Sequence, residues 1–213
     1  MAPRRRWQAN ASMLVAAGVP TAYARGNIAY RRRRAAQLHR WPFNVHRLPL
    51  MRLLWCGAGA ATGLGVALFL LPPASPAFLA SLGGSAVFLF GLTRAPAAQP
   101  RALFGGHLGG ALVGIVGYQA FGDALWVYVL VEVLALWLML LTKTVHPPAG
   151  ANPLIMVHGH ATISALWQPV AIGTLTLAAV ALMWSRLYPG LARYPVAWWE
   201  RSPPSTFWGG WGD

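Results

Sequence analysis

From Leu50 onward the chain is written in long apolar runs, separated by short clusters of proline, glycine and single charges. A helix needs about 20 apolar residues to cross the hydrocarbon of a bilayer, and fewer where it is bent or shielded by neighbours. On that measure the runs predict spans at 50–71, 77–93, 102–120, 124–142, 153–167 and 169–187. The fifth is short and also fits a re-entrant half-helix. The expected fold is therefore an all-α, polytopic transmembrane helix bundle of six spans, with five plus a half-helix as the alternative. Small residues recur at every fourth position: Gly59, Gly63 and Ala67 in the first span, Gly106, Gly110 and Gly114 in the third. Such stripes let helix backbones approach closely in lipid; a glycine-lined permeation path is the other reading.

Composition agrees with a lipid environment and divides the chain. Of 213 residues 56% are hydrophobic and 10% charged, against about a quarter charged in a soluble domain. Eleven of the 17 Lys/Arg lie between Arg4 and Arg52, where there is no acid; the rest are Arg94, Arg101, Lys143, Arg186, Arg193 and Arg201. This separates an arginine-rich arm at 1–49, a transmembrane domain at 50–187 and a Pro/Trp-rich tail at 188–213. The arm imitates a signal peptide, with Ala22-Tyr23-Ala24 resembling a cleavage site, but Pro20 interrupts its apolar run and dense arginines follow. A cytoplasmic arm fits better, with Arg31, Arg32, Arg33 and Arg34 placed to meet anionic lipid headgroups or to remain solvated. With six spans, every loop that carries Lys or Arg falls on one side. The positive-inside rule makes that side cytoplasmic for both termini, and the expected location is a bacterial inner membrane. Several of the 11 tryptophans suit interface belts, Trp126 and Trp167 outside and Trp184, Trp198 and Trp199 inside. The single Cys56 excludes an intrachain disulfide and a cysteine metal site. No nucleic-acid partner is expected of this charge distribution.

Two loops on the cytoplasmic side echo each other. Gln99, Pro100, Gly106 and His107 match Asn152, Pro153, Gly159 and His160 at one offset of 53 residues. Two spans separate the copies, so this is either a parallel internal repeat of the kind that builds transporters or coincidence in a Gly/Ala/Pro-rich chain. In each copy an amide residue precedes a proline that opens a helix, where the missing N–H costs nothing. The first turn then presents unpaired N–H groups and a partial positive charge, a ready anion site, with Arg101 or Lys143 close by. The stretch 146–152 is rich in Pro and Gly and carries one histidine. Such a backbone lies at membrane depth only if it is covered by protein or lines a wet cavity.

The run Leu141-Thr142-Lys143-Thr144-Val145-His146-Pro147-Pro148-Ala149-Gly150-Ala151 resembles the HPP family of integral membrane proteins, named for His-Pro-Pro. So do Ala98-Gln99-Pro100-Arg101 with Gly105-Gly106-His107 and, less specifically, Tyr194-Pro195 with Trp198-Trp199, where Ala197 replaces an expected aromatic residue. The resemblance covers about residues 48–199; the arginine arm and the Trp/Gly-rich end fall outside it. It implies a small membrane protein with plastid and cyanobacterial relatives linked to nitrite transport. Some members carry an appended soluble regulatory domain, and nothing in this chain reads as one.

The expected function is accordingly a transporter or channel for a small inorganic anion, with nitrite suggested by the resemblance. Its anion-binding or pathway residues are His146, Lys143, Asn152, Gln99, Arg101, His107 and His160. Glu132, the one acid inside a span, is a candidate for proton coupling, because intramembrane acids usually face an interior or a cavity; a carboxyl hydrogen-bonded between helices is the structural alternative. Its separation of eleven residues from Lys143 puts both on one helix face. The histidines have structural readings too, fixing a loop or bonding between helices. His158-Gly159-His160 invites a metal, but side chains two apart on a helix diverge, so neither metal nor cofactor is assigned. No nucleophile triad, phosphate loop or carboxylate pair points to an enzyme. The alternative function is an accessory subunit of a larger respiratory or photosynthetic membrane complex; a homo-oligomer is also open.

Overall fold

A computed structural model describes residues 49–71, 76–188 and 190–205. The arginine arm, with its expected lipid contacts and cleavage-like site, lies outside the described residues. The described residues form six α-helices: α1 Pro49–Leu70, α2 Pro76–Ala86, α3 Pro100–Phe121, α4 Leu125–Thr142, α5 Ala151–His158 and α6 Ile172–Leu187. A π-helical turn, Val87–Gly91, extends α2, and Ile163–Leu166 and Trp167–Ala171 lead into α6. By length and apolarity, Leu50–Leu70, Leu125–Thr142 and Ile163–Leu187 each suffice to cross a membrane, and Phe78–Gly91 is a shorter apolar helix. α3 has 22 residues, about 33 Å at 1.5 Å per residue, and its glycines lower its hydropathy without shortening it. The protein is an all-α transmembrane bundle whose outer surface is apolar: Phe69, Leu125, Leu141 and Trp167 are all exposed, as lipid-facing side chains must be.

Contacts set the direction of each crossing. Trp184 of α6 stacks on Trp55 at 4.6 Å between ring centroids and donates from Nε1 to Trp55 O, so α1 and α6 are antiparallel. Positions along α3 and α4 pair in reverse order, Gly117 against Val131 and Gly109 against Leu138. The segment after α4 runs parallel to α3. Built Cβ atoms would meet Thr144 at Gly105, His146 at Gly106, Ala149 at Gly110 and Pro153 at Gly114, and His160 stacks on Tyr118 beyond them. Residues 143–160 thus travel the length of the bundle, from the end marked by Lys143 to the end marked by Asp123, and 163–187 return. The described chain makes six traverses.

The fifth traverse departs from the helix expected at 153–167. Lys143 caps α4 in the left-handed region, at φ 57°, and Thr144 N returns to Met139 O. Pro147 and Pro148 then remove two N–H donors in succession, so a short 3-10 turn, Pro147–Gly150, replaces the first half of a helix. Only eight residues, Ala151–His158, are α-helical, about 12 Å. The chain unwinds again at Gly159 and His160. The crossing is complete but discontinuous, and neither a full helix nor a half-helix returning to its own side describes it.

The main core gathers apolar side chains from α1, α2, α3 and α6, among them Phe78, Leu82, Leu89, Ile115 and Leu177. Smaller clusters seat α4 against the fifth traverse through Val127, Val131 and Val157, and through Ala135, Met139 and Ala149.

Candidate functional site

α2 carries two polar residues between Phe78 and Gly91, Ser81 and Ser85, four apart and therefore on one face. That face meets His107 of α3 and the unwound part of the fifth traverse. Ser85 Oγ lies 2.8 Å from His107 Nε2 and 2.9 Å from His146 Nε2. Ser81 Oγ donates within 2.9 Å of both Asn152 Oδ1 and Pro148 O. Ser85, His107, His146 and Asn152 are fully buried, and Ser81 is 2% exposed.

Acceptors that cannot donate assign the protons in this cluster. His146 Nδ1 lies 2.6 Å from Ala97 O; a carbonyl only accepts, so Nδ1 carries a hydrogen. Asn152 Nδ2 donates to His107 O at 3.1 Å, which orients the amide, and also to His107 Nδ1 at 2.9 Å. His107 Nδ1 is therefore an acceptor, and a neutral His107 carries its hydrogen on Nε2, aimed at Ser85. The result is one directed chain, from Asn152 through His107, Ser85 and His146 to Ala97 O.

Close backbone approach makes room for it. A Cβ at Gly106 would stand 3.0 Å from His146 Cβ, and one at Gly110 3.0 Å from Ala149 O. The third-span glycines thus serve a segment of non-helical backbone, whose polar groups must be covered inside a membrane.

Three of the sequence-selected residues, His107, His146 and Asn152, meet here. Gln99 stands at the N-cap of α3, with Pro100 in the first turn, and its amide is used on both sides. Nε2 donates to Thr93 O at 2.8 Å and Ala95 O at 3.1 Å, while Oε1 accepts from Val196 N at 2.9 Å and Ala197 N at 3.2 Å. Arg101 donates to Thr142 O at 2.7 Å and Lys143 to Ser205 O at 3.2 Å. These two cations thus hold backbone at the Lys143 end, while the histidine cluster uses uncharged donors. Glu132 lies under the 3-10 turn, with Oε1 3.6 Å from a Cβ built on Gly150; its buried Oε2 has no partner among the described residues.

His160 belongs elsewhere. It bonds Asp123 at 2.9 Å at the opposite end of the bundle, half-exposed, and its ring is nearly parallel to Tyr118. The 53-residue echo therefore preserves chain direction but not depth. Asn152 sits inside the cluster while Gln99 caps a helix at the rim, because unwinding 143–150 advances the second copy further into the bundle. The hydrogen bond from His160 holds the Asp123 carboxyl below its usual range.

The tail closes the Lys143 end. Tyr194 N donates to Ser185 Oγ at 2.9 Å, and burial pushes the Tyr194 phenol upward. Val145 N donates to Ser202 O at 2.8 Å, Ser202 N to Lys143 O at 3.1 Å, and Ser202 Oγ to Val145 O at 2.6 Å. Sequence reasoning did not select Ser81, Ser85 or Ser202. The signal for the first pair was present, as two hydroxyls at helical spacing on an otherwise apolar span; Ser202 carried none. No group of three or more His, Cys, Asp or Glu suited to a metal occurs among the described residues.

Two transmembrane proteins of Dictyostelium discoideum are similar to this chain. One is 36% identical over 132 residues, 57% of this chain and 41% of its own length. The other is 33% identical over 132 residues, 57% of this chain and 45% of its own length. The chain thus spans less than half the length of these relatives. No solved structure matches it. The profile described as "HPP, transmembrane region" matches residues 45–195, a range that holds every residue of the histidine cluster, and the chain belongs to the HPP family of transmembrane proteins.

Proposed function

We propose that this protein carries a small inorganic anion, with nitrite the family-suggested example, across a bacterial inner membrane, its Lys143 end cytoplasmic. The observation that carries the reading is the fully buried Ser85–His107–His146–Asn152 cluster, set where the fifth traverse loses its helix. Polar side chains and broken helices at membrane depth mark transport sites. Uncharged donors bind an anion weakly enough to release it. Arg101 and Lys143 supply positive charge at the rim, and Glu132, beneath Gly150, couples protons. Orientation rests on Arg94, Arg101, Lys143, Arg186, Arg193 and Arg201 lying toward one end and Asp123 at the other. The role is transport without chemical turnover.

Nitrite flux from liposomes holding this chain alone tests the reading. His146→Ala and Asn152→Ala should each lower flux per folded molecule by tenfold or more, and wild-type flux in both would sink it. Glu132→Gln should weaken the pH dependence of flux while sparing binding. Labelling of Arg193→Cys from outside intact spheroplasts would overturn the orientation.

The accessory-subunit reading has one observation in its favour. Gly57, Ala61 and Gly65 form an exposed small-residue face on α1, with open space beside both glycines, and such faces dock helices in lipid. Stoichiometric partners retained through purification in mild detergent would favour it over transport.

A further inference from the structure

The hydrogen-bond chain around Ser85 is complete with two different numbers of protons. In the first arrangement both imidazoles are neutral. His146 Nδ1–H donates to Ala97 O, Ser85 O–H donates to His146 Nε2, and His107 Nε2–H donates to Ser85 Oγ. The Ser85 hydroxyl has a second acceptor within reach, Ser81 O at 3.0 Å. If it turns there, Ser85 Oγ presents both lone pairs to the imidazoles, and His146 Nε2 can then carry a hydrogen and donate it to Ser85. Every named donor keeps an acceptor in both arrangements, which differ by one proton and the rotation of one hydroxyl. An unmatched donor in a buried site costs about 1–3 kcal/mol, so a site complete in both states is built to change state.

We propose that His146 is a second reversible proton-binding site beside Glu132, with the Ser85 hydroxyl as its rotor and Ser81 O as the alternate acceptor, and that the proton taken up there travels with the anion. Hydronium at an aqueous face supplies the proton to His146 Nε2 and water there receives it back, so no other reactant is needed. The neutral arrangement is the resting one, since it leaves no uncompensated charge in the apolar interior. An anion arriving beside a protonated His146 makes a neutral pair, which lowers the electrostatic barrier to both. The proposal deepens the anion-transport reading and rests on it for the travelling partner; the proton site itself does not.

The charged and titratable groups around His146 come from several elements. α3 presents His107, already in the chain, and Arg101, turned to Thr142 O. α4 presents Glu132 under the 3-10 turn. Lys143 is bonded to Ser205 O, and Arg94 stands in the turn that carries Ala97. α2 contributes the two serines and no titratable side chain, and Phe88 lies 5.5 Å from the His146 ring. A metal bridging the two Nε2 atoms fits less well, because the Asn152 bond leaves the hydrogen of neutral His107 on the nitrogen such an ion would need.

Nitrogen-15 NMR of histidine-labelled full-length protein in nanodiscs tests this, titrated from about pH 8 to about pH 4 around the range where imidazoles change charge. His146, assigned by its absence in His146→Gln, should be a neutral Nδ1–H tautomer at high pH and gain a hydrogen on Nε2 as pH falls. Ser85→Ala should lower the midpoint by at least about one unit, a tenfold loss of proton affinity, and Ser85→Thr should restore it. An Nε2–H tautomer at high pH, a His146 that never titrates, or an unchanged midpoint in Ser85→Ala would overturn the proposal. The wild-type titration decides even if Ser85→Ala fails to fold. A titrating His146 without nitrite flux would keep the proton site and remove its partner, whereas nitrite flux past a silent His146 would remove the proton site.

Discussion

The glycine stripes of α1 and α3 look alike as sequence and do different work. On α1, Cβ atoms built at Gly59 and Gly63 would meet side chains: Trp184 and Phe90 at the first, Phe90 and Leu177 at the second. On α3, Cβ atoms at Gly110 and Gly114 would meet backbone: Ala149 O at 3.0 Å and Pro153 O at 2.5 Å. The first seam is helix against helix, closed by rings in the notches. The second is main chain against main chain, the 3-10 turn at Ala149 and the first turn of α5 at Pro153 lying directly on α3, which covers their carbonyls. A small residue every fourth position says that something comes close; it does not say whether that is a side chain able to move or a backbone that is not.

Substitutions at the two seams should separate accordingly. Gly114→Ala places its methyl 2.5 Å from Pro153 O and 2.6 Å from Pro153 Cα, where no rotamer can yield. We expect a loss of about 3 kcal/mol or more, read as collapse of the thermal transition in detergent, with no second substitution restoring it. Gly59→Ala meets Trp184 and Phe90 ring atoms at 2.6–2.7 Å and should cost about 1–2 kcal/mol. Phe90→Leu in the same chain should recover part of that, and equal losses at the two seams would break the comparison. Ser81→Ala leaves Asn152 Oδ1 and Pro148 O without their donor, a loss of about 1 kcal/mol. It should also shift the histidine signals more than Gly59→Ala does.

The smallest effect belongs to the Asp123 end, away from both seams. The His160 bond lowers the Asp123 carboxyl in the folded protein. Its contribution is therefore present above the unfolded carboxyl value of about 3.9 and is lost as pH falls through the lower folded value. Melting curves of wild type and Asp123→Asn should differ slightly near neutral pH and converge in acid. A gap that widens with acidity would contradict the assignment.

Crossings were legible because each long apolar run has a single physical solution in lipid. α3 and α4 lie within two residues of the expected 102–120 and 124–142. The fifth was harder, since Pro147 and Pro148 announce a break without telling how deep the broken backbone goes. That depth is set by α3's glycines, in another part of the chain. His107, His146 and Asn152 were selectable from spacing and motif. Their convergence on Ser85 was not, because Ser85 lies 22 residues from His107 and 61 from His146, and a serine in an apolar span ordinarily bonds its own helix. His160 misled for a related reason: sequence offset measures residues, and an unwound segment covers more distance per residue than a helix.

The Ser202 bonds bear on when the protein is finished. A helical hairpin settles in the bilayer while later segments are still being synthesised, but Val145 N waits for Ser202 O and Gln99 Oε1 waits for Val196 N. Residues 196–202 follow all six traverses in chain order. Until that stretch has been made, the unwound segment stands with its rim uncapped, and its last fastening comes from chain beyond the final helix. Insertion of the helices alone therefore does not finish this fold: a short stretch beyond the last helix ties its rim.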